Sequence, residues 1–354
     1  MVVNVNPVVR SVDVGYGNVK FVTGHQRGQE VICSLFPSVA PQASGAPDLG
    51  AGVLQKFNTV VVEVNGVKFE VGKDAEHAQD ASFGRVLDRA YPTTDTYMAL
   101  LRGALYYMGE PEIESLVLGL PVNTLDDFKA HLEKAVPGVH AVPNIRRNVD
   151  AKADPVLKVN VKSVRVFPQP LGAFFDHAIR KQLFNQMKAQ TNLIVDVGYF
   201  TVDWLMTHGL KTIKPRSGAH SGGMSAILAA IGEAMGRDHK TQITSHHRLD
   251  EAIRGGSNKL RIFGKEEDIS RYMPIGKAKA REFLSIMVNK VGDGADIDNI
   301  ILSGGGSSFF LDLMQERFPK HEIVIAKDPV FANVRGFQLA GEEMLVSERV
   351  KRHG

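Results

Sequence analysis

The chain has 354 residues, with 42 Lys+Arg against 39 Asp+Glu for a formal net charge of +3, 44% hydrophobic and 23% charged residues, and one cysteine. Its length exceeds what one core usually fills, which sets the expectation at two domains. No run approaches the roughly 20 apolar residues that cross a bilayer, the first ten residues lack a basic-then-apolar leader, and Cys33 alone builds neither an internal disulfide nor a cysteine metal cluster. The expected location is cytoplasmic, with no membrane partner, and so small a charge does not by itself argue for nucleic acid.

Residues 8–14 read as a strand, 15–17 as a glycine-rich turn and 19–23 as the strand resumed. Residues 31–35 add a third strand before Phe36-Pro37-Ser38, and 40–53, without periodicity, read as a loop. Asn65-Gly66 between the β-patterned runs 59–64 and 67–71 is a hairpin signal. Helical spacing covers 95–107, with Asp95 as N-cap, and 124–135, the two flanking an apolar strand at 116–120. Residues 157–167 alternate as one strand and 171–188 have helical spacing. The opening pattern then returns: strand 193–197, a turn at Gly198, and 201–206 leading out. Helices are expected over 223–235 and 278–291, where Leu284, Met287, Val288 and Val291 form a core stripe. A strand at 300–302 runs into a glycine turn, followed by a helix at 309–318, a strand at 322–325 and a last helix at 333–346 before the basic Arg349, Lys351 and Arg352. Two halves that each open strand–Asp-x-Gly–strand predict a duplicated α/β protein with a ligand cleft between them.

Three motifs carry chemistry. In Asp13-Val14-Gly15-Tyr16-Gly17-Asn18-Val19-Lys20, strand-end glycines let N–H groups face a phosphate, Asp13 suits a hydrated Mg2+ and Lys20 a phosphate charge; taken alone the pattern also reads as a hairpin with a surface lysine. Asp196-Val197-Gly198-Tyr199-Phe200-Thr201-Val202-Asp203 restates it with an added hydroxyl, Asp203 also reading as a capping or solvated strand end. Ser303-Gly304-Gly305-Gly306-Ser307, between strand and helix, admits a nucleotide closely. Gly222 and Gly223 open a helix and are candidates to touch phosphate; Gln169 in Phe167-Pro168-Gln169-Pro170 reads as a turn residue or a water-orienting amide.

These motifs, in this order, resemble the actin / DnaK-type chaperone / sugar-kinase superfamily of ATPases, and within it the plasmid-segregation actins of the ParM/StbA type. The resemblance implies an α/β chain of two related ribonuclease H-like, actin-like domains flanking a nucleotide cleft. The first spans 1–170, with a C-terminal helix 335–354 packing back on it, and the second 171–334. It implies Asp13, Gln169 and Asp196 as catalytic residues, and Asp13 and Asp196 as holders of Mg2+. The nucleotide, ATP or GTP, falls to Gly15, Tyr16, Gly17, Asn18, Lys20, Gly198, Tyr199, Phe200, Thr201, Gly222, Gly223, Gly304, Gly305, Gly306 and Ser307. Residues 167–173 fall at the family's first interdomain crossing, and 328–341, with Asn333-Val334-Arg335-Gly336, at the second. Phe36-Pro37-Ser38 and Val71-Gly72-Lys73-Asp74-Ala75 also look like the family's first domain. The implied partners are further copies of the chain, in a filament, and a DNA-binding adaptor protein.

Plasmid actins tend to carry a glutamate at the first crossing, where this chain has Gln169. An amide orients water but cannot take its proton, so slow hydrolysis governed by positioning is expected. The alternatives are a small-molecule kinase, for which no acceptor-activating aspartate stands out, or a non-polymerising regulatory ATPase. The twelve histidines show no zinc spacing, and Lys211, Lys214 and Arg216 read as a solvated basic face.

Overall fold

The computed structural model describes residues 8–25, 29–43, 57–78, 85–243 and 246–353. It divides into two compact units, Met1–Leu120, Thr124–Pro168 and Phe337–Gly354 in one, Pro121–Asn123 and Gln169–Gly336 in the other. Most of the loop expected at 40–53 lies outside the described residues.

The first unit holds strands β1 (Val9–Val14), β2 (Asn18–Gly24), β3 (Ile32–Pro37), β4 (Thr59–Val64) and β5 (Val67–Gly72), then helix α1 (Asp95–Met108). There follow β6 (Glu112–Ile113), β7 (Ser115–Leu120), α2 (Leu125–Ala135), β8 (Gly138–Pro143), β9 (Val156–Val161) and β10 (Val164–Pro168). Its central sheet runs β10-β7-β1-β2-β3, an antiparallel meander β1-β2-β3 extended by two parallel strands. The Asn65-Gly66 turn has both residues at positive φ, 51° and 81°, as a tight hairpin between β4 and β5 requires. Thr94, not Asp95, caps α1: its hydroxyl accepts from the Tyr97 N–H, so Asp95 stands one residue inside, where its charge still favours the helix start. The run 157–167 is two strands in different sheets: its apolar positions 157, 159 and 161 give way to 164 and 166, so the alternation slips by one residue at Lys162-Ser163, where pairing is interrupted.

The second unit holds α3 (Gln169–Arg180), α4 (Phe184–Met187), β11 (Thr191–Val197), β12 (Val202–His208), β13 (Lys211–Thr212), β14 (Gly218–His220), α5 (Met224–His239) and α6 (His246–Arg254). It continues with β15 (Lys259–Ile262), β16 (Lys265–Asp268), α7 (Met273–Val291), β17 (Asn299–Ser303), α8 (Ser307–Arg317), β18 (Ile323–Ile325) and the start of α9 (Ala332–His353). Its sheet runs β13-β12-β11-β17-β18, again an antiparallel meander extended by two parallel strands. The duplication read from the sequence is therefore a duplication of sheet order. The helix expected over 171–188 breaks after Arg180, where Gln182 takes a left-handed φ of 58° before α4. The last helix runs on to His353, past the expected end at 346.

Arg216 is not part of a solvated face: its guanidinium pairs with Asp296 and donates to the Val291 carbonyl at the end of α7. The stripe Leu284, Met287, Val288 and Val291 is core, packed with Trp204, the chain's one tryptophan, against β11 and β12. In the first unit, Gln338 of α9 donates to the Val9 carbonyl and Phe337 packs on Val9 and Val117. Among the described residues no helix is long and apolar enough to cross a membrane.

Candidate functional site

In the first unit, the loop between β1 and β2 carries Asp13, Gly15, Tyr16, Gly17, Asn18 and Lys20. Asp13 and Lys20 lie directly opposite each other in the ladder, and Lys20 Nζ sits 2.8 Å from Asp13 Oδ2 with the carboxylate fully buried. Lys20 is thus engaged by its neighbour rather than projecting as a surface lysine. Ser38 shapes the loop: its hydroxyl donates to the Gly15 carbonyl at 2.5 Å and its N–H to the Gly17 carbonyl at 3.0 Å. A trans peptide points its C=O and N–H in opposite directions, so binding the Gly15 carbonyl turns the Tyr16 N–H away from Ser38. The Tyr16 ring stacks on Tyr91 at 5.1 Å and its hydroxyl donates to the Asp88 carbonyl, which leaves the residue its backbone, not its ring, for a ligand. Burial pushes the Tyr91 and Tyr97 hydroxyls well above the usual phenol range, so this wall of the loop stays neutral.

The corresponding loop of the second unit is built more fully. Three successive carbonyls, Gly198, Tyr199 and Phe200, accept from the N–H groups of Met224, Ser225 and Gly223 at the start of α5. By the same planarity, the N–H groups of Tyr199, Phe200 and Thr201 point away from α5, an array suited to an anion. The seating needs glycine: a Cβ on Gly223 would lie 2.5 Å from the Gly198 oxygen, and one on Gly222 would meet the Phe283 ring at 2.5 Å. Gly223 gives its N–H to the Phe200 carbonyl at 3.0 Å and so holds the loop.

Asp196 and Asp203 face each other across β11 and β12, where the first unit pairs Asp13 with Lys20. Asp203 is 1% exposed, which rules out the solvated strand end. Its carboxylate accepts from the Thr201 hydroxyl at 2.6 Å and from the Val122 N–H at 2.7 Å. Thr201 thereby commits its only hydroxyl proton and keeps lone pairs to offer. Asp196 accepts from Asn333 Nδ2 at 2.7 Å and lies near the Ser303 hydroxyl.

The glycine turn divides by role. Gly304 has φ of +84°, and a Cβ there would strike Asp196 Oδ1 at 2.4 Å; one on Gly306 would strike Val197 Cγ1 at 2.4 Å. Both are required by the fold. A Cβ on Gly305 would meet only Arg254 Cδ at 3.8 Å and Val330 Cγ2 at 3.9 Å, ordinary contacts. Ser307 begins α8 with its hydroxyl buried and unpartnered. Gln169 opens α3, buried, as a helix residue rather than a turn residue.

Ser38 and Asn333 escaped role assignment from sequence because each acts through a contact far along the chain, on Gly15 and on Asp196. The signal available was their place in the segments Phe36-Pro37-Ser38 and Asn333-Val334-Arg335-Gly336.

The geometry now has two sheets of one order, each bearing an Asp-x-Gly loop at the same place. Residues 11–172 match a family model described as the N-terminal domain of actin like proteins, and 194–316 one described as archaeal actin homologue MreB-like, C-terminal. The chain is actin-like. Among solved structures, this actin-like chain is similar to Ta0583, an archaeal actin homolog, at 19% identity, covering 95% of this chain and 99% of that one with a TM-score of 0.72. The same homolog in complex with ADP matches at 21% identity over 95% and 99%, TM-score 0.69. A ParM from Clostridium botulinum, solved as a 15-stranded filament, matches at 17% over 96% and 99%, TM-score 0.71. No curated protein matches the sequence of this actin-like chain.

Proposed function

We propose that the chain binds ATP with Mg2+, or GTP in its place, through its two Asp-x-Gly loops and its glycine turn, hydrolyses it slowly, and assembles into filaments that separate plasmid or other replicon copies. The observation that carries the nucleotide reading is the seating of residues 198–201 on α5, which aims three successive N–H groups to one side next to Asp196. Support for the ligand class comes from the archaeal homolog in complex with ADP, and for assembly from the ParM filament.

The donor set suits a hydrated cation. Mg2+ keeps several waters and asks for one or two carboxylates, and Asp13 and Asp196 would be the residues to offer them; among the described residues no cluster of three or more His, Cys, Asp or Glu gathers as a cage. When bound, the ion neutralises charge on the β- and γ-phosphates. In this reading Asp13 would hold the ion, and Lys20, its partner across the ladder, would supply a positive charge for a phosphate. Gln169 orients the attacking water and cannot accept its proton, so turnover is slow. Nucleotide shifts assembly only to the extent that it binds the polymer-competent form more tightly. As in the plasmid-segregation family the motifs resemble, contact with DNA would run through an adaptor protein and not directly.

Gly305 isolates the nucleotide claim from the fold. Gly305→Ala should leave stability within about 0.5 kcal/mol of the parent yet weaken ATP binding about tenfold or more, because the added methyl makes only ordinary contacts with Arg254 and Val330 and would stand against an incoming adenosine. Fluorescence titration and urea unfolding on the same preparation check this; equal affinity would take the glycine turn out of the site. For assembly, the parent protein with ATP and Mg2+ should sediment and scatter light above a critical concentration, and not with EDTA. A protein that binds ATP yet stays in the supernatant at tens of micromolar would remove the filament reading.

A further inference from the structure

Asn333, in the first turn of α9, is 4% exposed and donates from Nδ2 to Asp196 Oδ2 at 2.7 Å. Only the amide NH2 can donate to a carboxylate, so this contact fixes which way the amide points. It leaves Asn333 Oδ1 buried with no hydrogen-bond partner. Leaving a buried acceptor unmade costs free energy, and native structures hold few of them. Nor is the backbone free to carry the amide elsewhere: the Asn333 carbonyl lies where a Cβ on Gly172 would be, 2.2 Å from that position, so α3 and α9 pin it.

We propose that Asn333 is a positioning residue for the cation that accompanies the nucleotide. Nδ2 holds Asp196 in place, and Oδ1 accepts from a water of the cation's hydration shell. The proposal rests on the nucleotide reading above. Its place selects the partner: an amide oxygen repels phosphate oxygens and accepts from a proton donor, and at Asp196, the carboxylate that Asn333 itself binds, a water polarised by a divalent ion is such a donor. Thr201 points the same way, since its hydroxyl proton is committed to Asp203. The second loop would then address the phosphates through backbone N–H groups and the cation's waters through Asp196, Asn333 and Thr201.

The test is ATP affinity, measured by titration of a fluorescent ATP analogue with excess Mg2+ and again with EDTA, for the parent, Asn333→Ala and Asn333→Ser. Serine keeps an oxygen at the position and serves if the alanine variant folds poorly; Trp204 fluorescence reports folding of each. The expected result is that the factor by which Mg2+ tightens binding falls about tenfold in Asn333→Ala and less in Asn333→Ser, while affinity in EDTA stays within about twofold. Equal losses with and without Mg2+ would make Asn333 a structural or phosphate-side residue and overturn the proposal, as would no loss at all. A parent protein that binds no nucleotide under either condition would instead overturn the reading on which the proposal stands.

Discussion

Gly336→Ala should be the most damaging single methyl in the second unit, costing about 3 kcal/mol or more. A Cβ there would lie 1.7 Å from the Gly172 oxygen, 2.5 Å from its carbonyl carbon and 2.8 Å from the Asp176 nitrogen. All three are backbone atoms of α3, and backbone cannot swing aside as a side-chain tip does. The start of α9 must therefore separate from α3, which loosens the apolar packing of Ala173, Phe174 and Ala332 around Ile194 and Ile301. Urea unfolding followed by Trp204, buried in the same unit, reads the loss directly. Gly305→Ala in the same unit is the internal control, since its methyl has room. A Gly336→Ala variant as stable as that control would mean the two helices are not in backbone contact.

Arg335→Leu should cost about 3 to 5 kcal/mol, again read by Trp204. Arg335 binds Asp176 through two hydrogen bonds, 2.9 Å from Nε and 2.8 Å from an Nη, with both side chains buried, and it also donates to the Lys327 carbonyl. Removing the guanidinium strands a buried carboxylate, for which Arg180 at 3.8 Å is a poor substitute. The cost lies in the stranded charge more than in the lost attraction, so the double variant Asp176→Leu with Arg335→Leu should recover part of it. A double variant as unstable as the sum of the singles would locate the energy in packing around each residue instead.

The actin-like fold was legible in the chain because its signals are local. Each Asp-x-Gly turn sits between two strands whose residues are neighbours in sequence, and Asn65-Gly66 needs only its own φ angles. Some of what sequence missed is local, and the rest depends on distant partners. The run 157–167 carries a phase slip at Lys162-Ser163 that marks the end of β9, but nothing in it announces that β9 and β10 enter different sheets. Thr94 takes the cap from Asp95 because the Tyr97 N–H is within reach of a hydroxyl one residue earlier. At the candidate site, Gly222 and Gly223 announce close approach but not to what. The answer is Phe283 and the 198–201 loop, contacts that no motif records. Asn333 acts on Asp196 from 137 residues away, and Ser38 on Gly15 from 23.

If the two repeated loops bind one nucleotide, equilibrium titration of a fluorescent ATP analogue with excess Mg2+ into the parent, Asp13→Ala and Asp196→Ala proteins shows it most directly. The parent should bind saturably at micromolar nucleotide and each variant should lose about tenfold or more, with Trp204 still native in both. Saturable binding that neither substitution weakens, or a folded parent that binds nothing, would contradict it.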